Sequence, residues 1–163
     1  MINLSKIVLD GSLLSIIASL LLIVPMYFNP RIFLQDYPKD IQTRVPAKTP
    51  REKHLALWVG IPFLLVLLLI PFLSTLSLKQ QNSPYLVLFA NAFGVAFLFN
   101  VVDWLLLDWL LFCTITPKFV VIPGTEGMPG YKDYGFHFRG FLVGTVLSVI
   151  SGVLIAGIVS FIG

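Results

Sequence analysis

Charge is what this chain has least of. Only 12% of its 163 residues are Asp, Glu, Lys or Arg, against roughly 25% in a soluble domain. With 57% hydrophobic residues and a mean hydropathy of +0.92, that shortage excludes an ordinary water-soluble globule and points to the membrane class. One cysteine, Cys113, excludes an internal disulfide and a cysteine-rich zinc site. The two histidines, His54 and His137, are placed here on different loops. Neither shares a helix with Asp108 or Cys113 at ligand spacing, so no metal site is expected, and a bis-His haem is equally unsupported. No cofactor can be named. There is no internal repeat, no low-complexity tract and no phosphate-cradling glycine run. The net charge of +3 is not read as nucleic-acid binding. The basic residues flank apolar segments, where membrane orientation and anionic lipid explain them better.

Long apolar runs are what the chain does have. Four of them, at about 7–28, 55–78, 85–115 and 141–162, reach the roughly 20 residues that a bilayer crossing needs. The expected fold is an all-α integral membrane protein: four transmembrane helices in one bundle, a single domain over 1–163. Lys6 precedes the first run, which is longer than a signal-peptide core and lacks a small-x-small cleavage site after it. It is expected to be a retained span. Nine Lys and Arg fall on the side of the loops at 29–54 and 117–139, while only Lys6 and Lys79 fall on the other. By the positive-inside rule the long loops are cytoplasmic and both termini outside, in a multi-pass protein of the cell membrane. Tyr27, Trp58 and Tyr85 lie near span ends, as an aromatic belt would place them.

Both loops carry signals of order. Asn29-Pro30 reads as a helix N-cap with proline at the first position. Ile32, Phe33 and Tyr37 would then form a short amphipathic turn on the membrane surface. Thr49-Pro50-Arg51-Glu52 is a capping box, so the second helix begins near Pro50, before the apolar run. Pro62 and Pro71 inside that span are expected to kink it. The turn from Lys79 to Pro84 is short enough to make spans two and three antiparallel neighbours. In the last loop, prolines fence the apolar run 117–123, suiting a re-entrant piece or a strap across the mouth of the bundle. Turn chemistry follows at 124–130, then aromatics mixed with basic residues up to Arg139. That much aromatic content predicts an ordered cap.

The polar exceptions within the spans are the functional candidates. Asp10 lies one turn from Lys6 and reads first as an interfacial pair, with an ion-entry carboxylate as the alternative. The third span holds Asn100, Asp103, Trp104, Asp108 and Thr114. On an α-helical wheel these share an arc of about 140°, not cleanly, since Leu107 and Leu111 fall there too. Asp103 and Asp108 are about 7.5 Å apart along the axis and would need a partner helix between them to act on one ligand. In the fourth span Gly140, Gly144, Ser148, Gly152, Ala156 and Ser160 recur every four residues. Small residues at that spacing let two backbones approach closely, within the bundle or between copies.

Three functional readings follow. In the first, Asp103, Asp108 and His137 are acid–base groups of a cytoplasm-facing intramembrane site that binds or processes a lipid or other apolar ligand. Asn100, Trp104, Lys118, Lys132 and Arg139 then contribute to binding, the cations holding a lipid phosphate. In the second, Asp103 and Asp108 relay protons or cations. In the third the chain is an accessory subunit, partnered by the bilayer and by a second copy or another membrane subunit through the small-residue face. No nucleic-acid partner is expected.

Overall fold

The computed structural model of the chain describes residues 1–79 and 83–162; the middle of the short turn at 80–82 lies outside them. Among the described residues there are only helices and turns, no strands. Helix α1 runs Leu4–Phe28, followed by a 3-10 segment Pro30–Asp36 and a short α2, Lys39–Arg44. Helix α3 is Pro50–Lys79, and α4, Tyr85–Val102, passes without a break into a π-helix, Asp103–Ile115. A second 3-10 turn, Pro129–Lys132, leads into α5, Tyr134–Phe161. Four of these stretches, Leu4–Phe28, Pro50–Lys79, Tyr85–Ile115 and Tyr134–Phe161, are long and apolar enough to cross a membrane.

Caps, not hydropathy, set where α3 and α5 begin. At α3 the Thr49 hydroxyl accepts the Glu52 N–H at 3.2 Å, and the Glu52 carboxylate accepts the Thr49 N–H at 2.7 Å. The helix runs unbroken through Pro62 and Pro71. At α5 the Asp133 carboxylate accepts the Phe136 N–H at 2.8 Å, which starts the helix at Tyr134, ahead of the apolar run at 141. His137 and Arg139 are therefore helical and do not belong to a loop. Hydropathy marks the stretch that suits lipid; the cap marks where the backbone first turns.

The small-residue face of α5 packs inside the chain. A Cβ added at Gly144 would run into the Asn100 side chain, and one at Gly152 into Phe93 and Phe89 of α4. Ala156 is fully buried with Leu88 and Ala92. This is the close approach that small residues permit. Of the three glycines in that series, Gly140 alone has free space where a Cβ would stand. The same device joins α1 to α4, through Gly11 against Leu98 and Gly94 against Ile7.

Both loops fold onto one end. Leu34, Tyr37, Ile41, Phe112, Cys113, Val120, Ile122 and Tyr131 form a buried cluster there. Tyr37 is 1% exposed and donates its phenol to the Val120 carbonyl at 2.7 Å; burial raises its pKa, so the proton stays in that bond. The Tyr131 phenol accepts the Ile122 N–H at 2.9 Å. The run at 117–123 is thus a strap packed across the end of the helices. Ile32 and Leu34 of the 3-10 segment point into protein, not onto a membrane surface. At the opposite end the Lys79 ammonium donates to the Ser160 carbonyl at 3.1 Å, tying the ends of α3 and α5.

Candidate functional site: an acidic cavity beside a buried histidine

The continuation of α4 as a π-helix decides the site. In an α-helix, residues five apart lie about 140° away from each other around the axis. In a π-helix the backbone bonds i to i+5, so residues five apart stack one turn above the other. The Thr116 N–H donates to the Leu111 carbonyl at 2.9 Å in that pattern. Asp103 and Asp108 consequently share a face and need no helix between them, contrary to the α-helical wheel. Trp104 and Trp109 gain the same relation on another face, with ring centroids 4.9 Å apart. The π-helix ends at Thr116, whose φ of 48° is left-handed. There the Lys132 ammonium donates to the Cys113 and Thr114 carbonyls at 2.5 and 3.1 Å and to the Thr116 hydroxyl at 2.8 Å. A cation on the last carbonyls of a helix is favourable.

The shared face of Asp103 and Asp108 opens on a cavity of about 410 Å³. Its walls are apolar: Leu22, Ile23 and Met26 of α1, Val59 and Phe63 of α3, Leu107, Leu111 and Phe112 of the π-helix. Gly60 of α3 lies on the wall, and a Cβ added there would meet nothing within 4 Å. The polar lining includes Asp103, Asp108, His137 and, exposed to water, Asp36 of the first loop. Volume and composition fit a small-molecule pocket, a mostly apolar space with a few convergent polar groups.

His137 is 6% exposed. Its Nδ1 lies 2.9 Å from Asp108 Oδ1, and the ring packs on Phe112 with centroids 4.7 Å apart. Among the described residues its Nε2 has no hydrogen-bond partner although it is buried. With Nδ1 donating to Asp108, Nε2 is an acceptor when the ring is neutral and a donor when it is protonated. Asp103 likewise has no hydrogen-bond donor among the described residues. An aspartate–histidine pair with one free ring nitrogen at an apolar cavity can take or deliver a proton. No cluster of three His, Cys, Asp or Glu side chains suited to a metal occurs among the described residues.

The structure brings Asp103, Asp108 and His137 together and leaves the other candidates elsewhere. Asn100 donates to the Phe141 carbonyl and the Thr145 hydroxyl, both at 3.1 Å, and so ties α4 to α5. Trp104 stacks on Phe141 with centroids 4.3 Å apart. Lys132 caps the π-helix. Arg139 lines a different, surface pocket together with Asp40 and Asp133, and Lys118 is exposed outside the cavity. Sequence reasoning passed over Asp36 and Gly60. Nothing in the pattern links the first loop to the third span, so Asp36 gave no signal. Gly60 did: a glycine in a helix interior costs about 1 kcal/mol relative to alanine, which asks for a reason.

A second polar region lies towards the chain termini. Asp10 accepts from Lys6 at 2.7 Å and from the Ser74 hydroxyl at 2.5 Å, and the Asn91 amide donates to Ser74 and Thr75 at 2.9 and 3.1 Å. Between this network and the cavity sits an apolar layer of Leu14, Ala18, Val95 and Phe99. On α1 and α4 alike the order is polar group, apolar layer, cavity wall: Asp10, Leu14 and Ala18, Leu22; then Asn91, Val95 and Phe99, Asp103.

Comparison with known protein families, with characterised proteins and with solved structures finds no match to this chain. The class rests on the fold alone: a helical membrane protein with four candidate spans. Beyond that class, the reading depends on the cavity.

Proposed function

We propose that the protein binds an apolar ligand or lipid in the cavity walled by α1, α3 and the π-helix, and acts on its polar head with the Asp108–His137 pair. The observation that carries this reading is the buried His137 imidazole in the cavity wall, fixed through one nitrogen by Asp108 and unpartnered at the other among the described residues. A buried polar atom left without a partner costs about 1–3 kcal/mol. A ligand group at Nε2 would remove that cost. In this scheme Asp108 orients the ring and stabilises its protonated form, Nε2 exchanges a proton with the ligand head, and Asp103 holds the head from one turn away. Leu22, Ile23, Val59 and Phe63 receive the tail. The nine-to-two division of Lys and Arg supports a cytoplasmic position for the cavity mouth, with both termini outside.

A proton or cation pathway has less support. It would join the Asp10 network to Asp103, and the layer of Leu14, Ala18, Val95 and Phe99 interrupts any continuous polar route between them.

Native mass spectrometry of the protein released gently from its own membrane tests the proposal. A co-purifying small molecule is expected, absent from Gly60→Phe, which sets a ring on the cavity wall at a position whose Cβ meets nothing within 4 Å. A bare protein, or a ligand retained in Gly60→Phe, would sink the reading.

A further inference from the structure

Resting on that reading of the cavity, we infer that its ligand is an apolar amine, held by an ammonium head between Asp103 and the Asp108–His137 pair. The sequence alone had suggested a lipid phosphate gripped by loop cations; the arrangement of charges favours the opposite sign. Asp36, Asp103 and Asp108 line the cavity, and among the described residues no lysine or arginine does. The cations close in sequence are held by other groups of the protein. Arg31 is held by the Glu52 carboxylate at 2.7 Å and the Pro46 carbonyl at 3.0 Å. The Lys48 ammonium sits on the Ile32 carbonyl at 2.9 Å and on the Gln35 side chain, near Asp36 at the rim, so the deeper Asp103 and Asp108 are left as the unbalanced charges. Lys132 caps the π-helix, and Arg139 lines the separate pocket with Asp40 and Asp133.

The acidic residues would not define a ligand by themselves. His137 adds an independent pointer, since it is part of the same wall and its Nε2 is buried and, among the described residues, unpartnered. Asp103 and the neutral form of His137 are both acceptors, and an ammonium offers three donors to them. A phosphate would meet like charges at short range with low-dielectric walls around it, where repulsion is strong. Its oxygens would also leave the Asp103 carboxylate without a donor.

Equilibrium binding of dodecylamine and of dodecyl phosphate, which share one tail, separates the head from the cavity. The full chain is held in nanodiscs of zwitterionic lipid, with empty nanodiscs subtracted. Dodecylamine is expected to bind at least about tenfold more tightly than dodecyl phosphate, the worth of one hydrogen bond to a charged group. Gly60→Phe should abolish saturable binding, and Asp103→Asn should remove most of the preference for the amine. Dodecyl phosphate binding as tightly as the amine, with both lost in Gly60→Phe, would overturn the head group and leave the cavity standing. Binding of either probe that survives Gly60→Phe, or no saturable binding of either, would overturn the cavity reading itself.

Discussion

Two polar regions share these helices and are built on opposite terms. Near the termini, Lys6, Asp10, Ser74, Thr75 and Asn91 are joined by hydrogen bonds of 2.5–3.1 Å. One amide oxygen, Asn91 Oδ1, is left over. At the loop end, among the described residues, Asp103 has no donor and His137 Nε2 no partner, and both residues line a cavity of about 410 Å³. Polar groups in an apolar surround are tolerated when they satisfy each other, and the first region is a network of that kind, joining α1, α3 and α4. Unsatisfied buried groups reduce stability, and a ligand bound at the cavity they line can complete them. Burial of polar atoms alone would have ranked the two regions alike. Satisfaction separates them.

The largest expected effect lies in the network. Asn91→Leu removes the amide that two hydroxyls share and overfills a site only 2% exposed. It should lower stability by about 2–3 kcal/mol, measured by denaturation in mild detergent, with ligand retention unchanged in the folded fraction. Loss of ligand at full stability would blur the distinction. Lys132→Met strips a cation from two carbonyls and a hydroxyl and is expected to cost about 1–2 kcal/mol. It should also weaken ligand binding, because the π register that stacks Asp103 on Asp108 loses its anchor; a binding constant identical to the native one would show that the register is held elsewhere. Asp103→Asn goes the other way. In the ligand-free protein, removing an unpaired carboxylate from apolar surroundings should raise stability by about 1 kcal/mol while binding falls. The smallest effect belongs to Gly60→Ala, where the helix gains about 0.5–1 kcal/mol and nothing is displaced. A fall in its unfolding midpoint would mean the wall there is already full.

Much of the fold was legible in the sequence, since four long apolar runs admit few other solutions and the capping box of α3 stands in the open at Thr49–Glu52. The start of α5 was not, because hydropathy rises at Phe141 whereas the Asp133 cap acts two turns earlier. That difference moved His137 from loop to helix and into the protein. The site was half legible. Asp103, Asp108 and His137 stand out as polar residues in an apolar context, but the face they share depends on a π-helix, and a five-residue spacing looks wrong on an α-helical wheel. The loop cations misled for a physical reason. Carbonyls and carboxylates of the cap satisfy Arg31, Lys48 and Lys132, and those partners come from positions that composition cannot pair. The repeat of small residues in α5 was plain to see, yet whether it met α4 or a second copy was a question for packing alone.

The most direct test of the contrast needs no ligand. Thermal unfolding midpoints of ligand-free native protein, Asp10→Asn and Asp103→Asn are measured side by side in the same nanodiscs. The account expects opposite shifts: Asp10→Asn below the native midpoint, because Lys6 and Ser74 lose their charged acceptor, and Asp103→Asn at or above it. If Asp103→Asn lowered the midpoint as far as Asp10→Asn does, the inner carboxylate would be structural and the claim of a ligand site would fall with it.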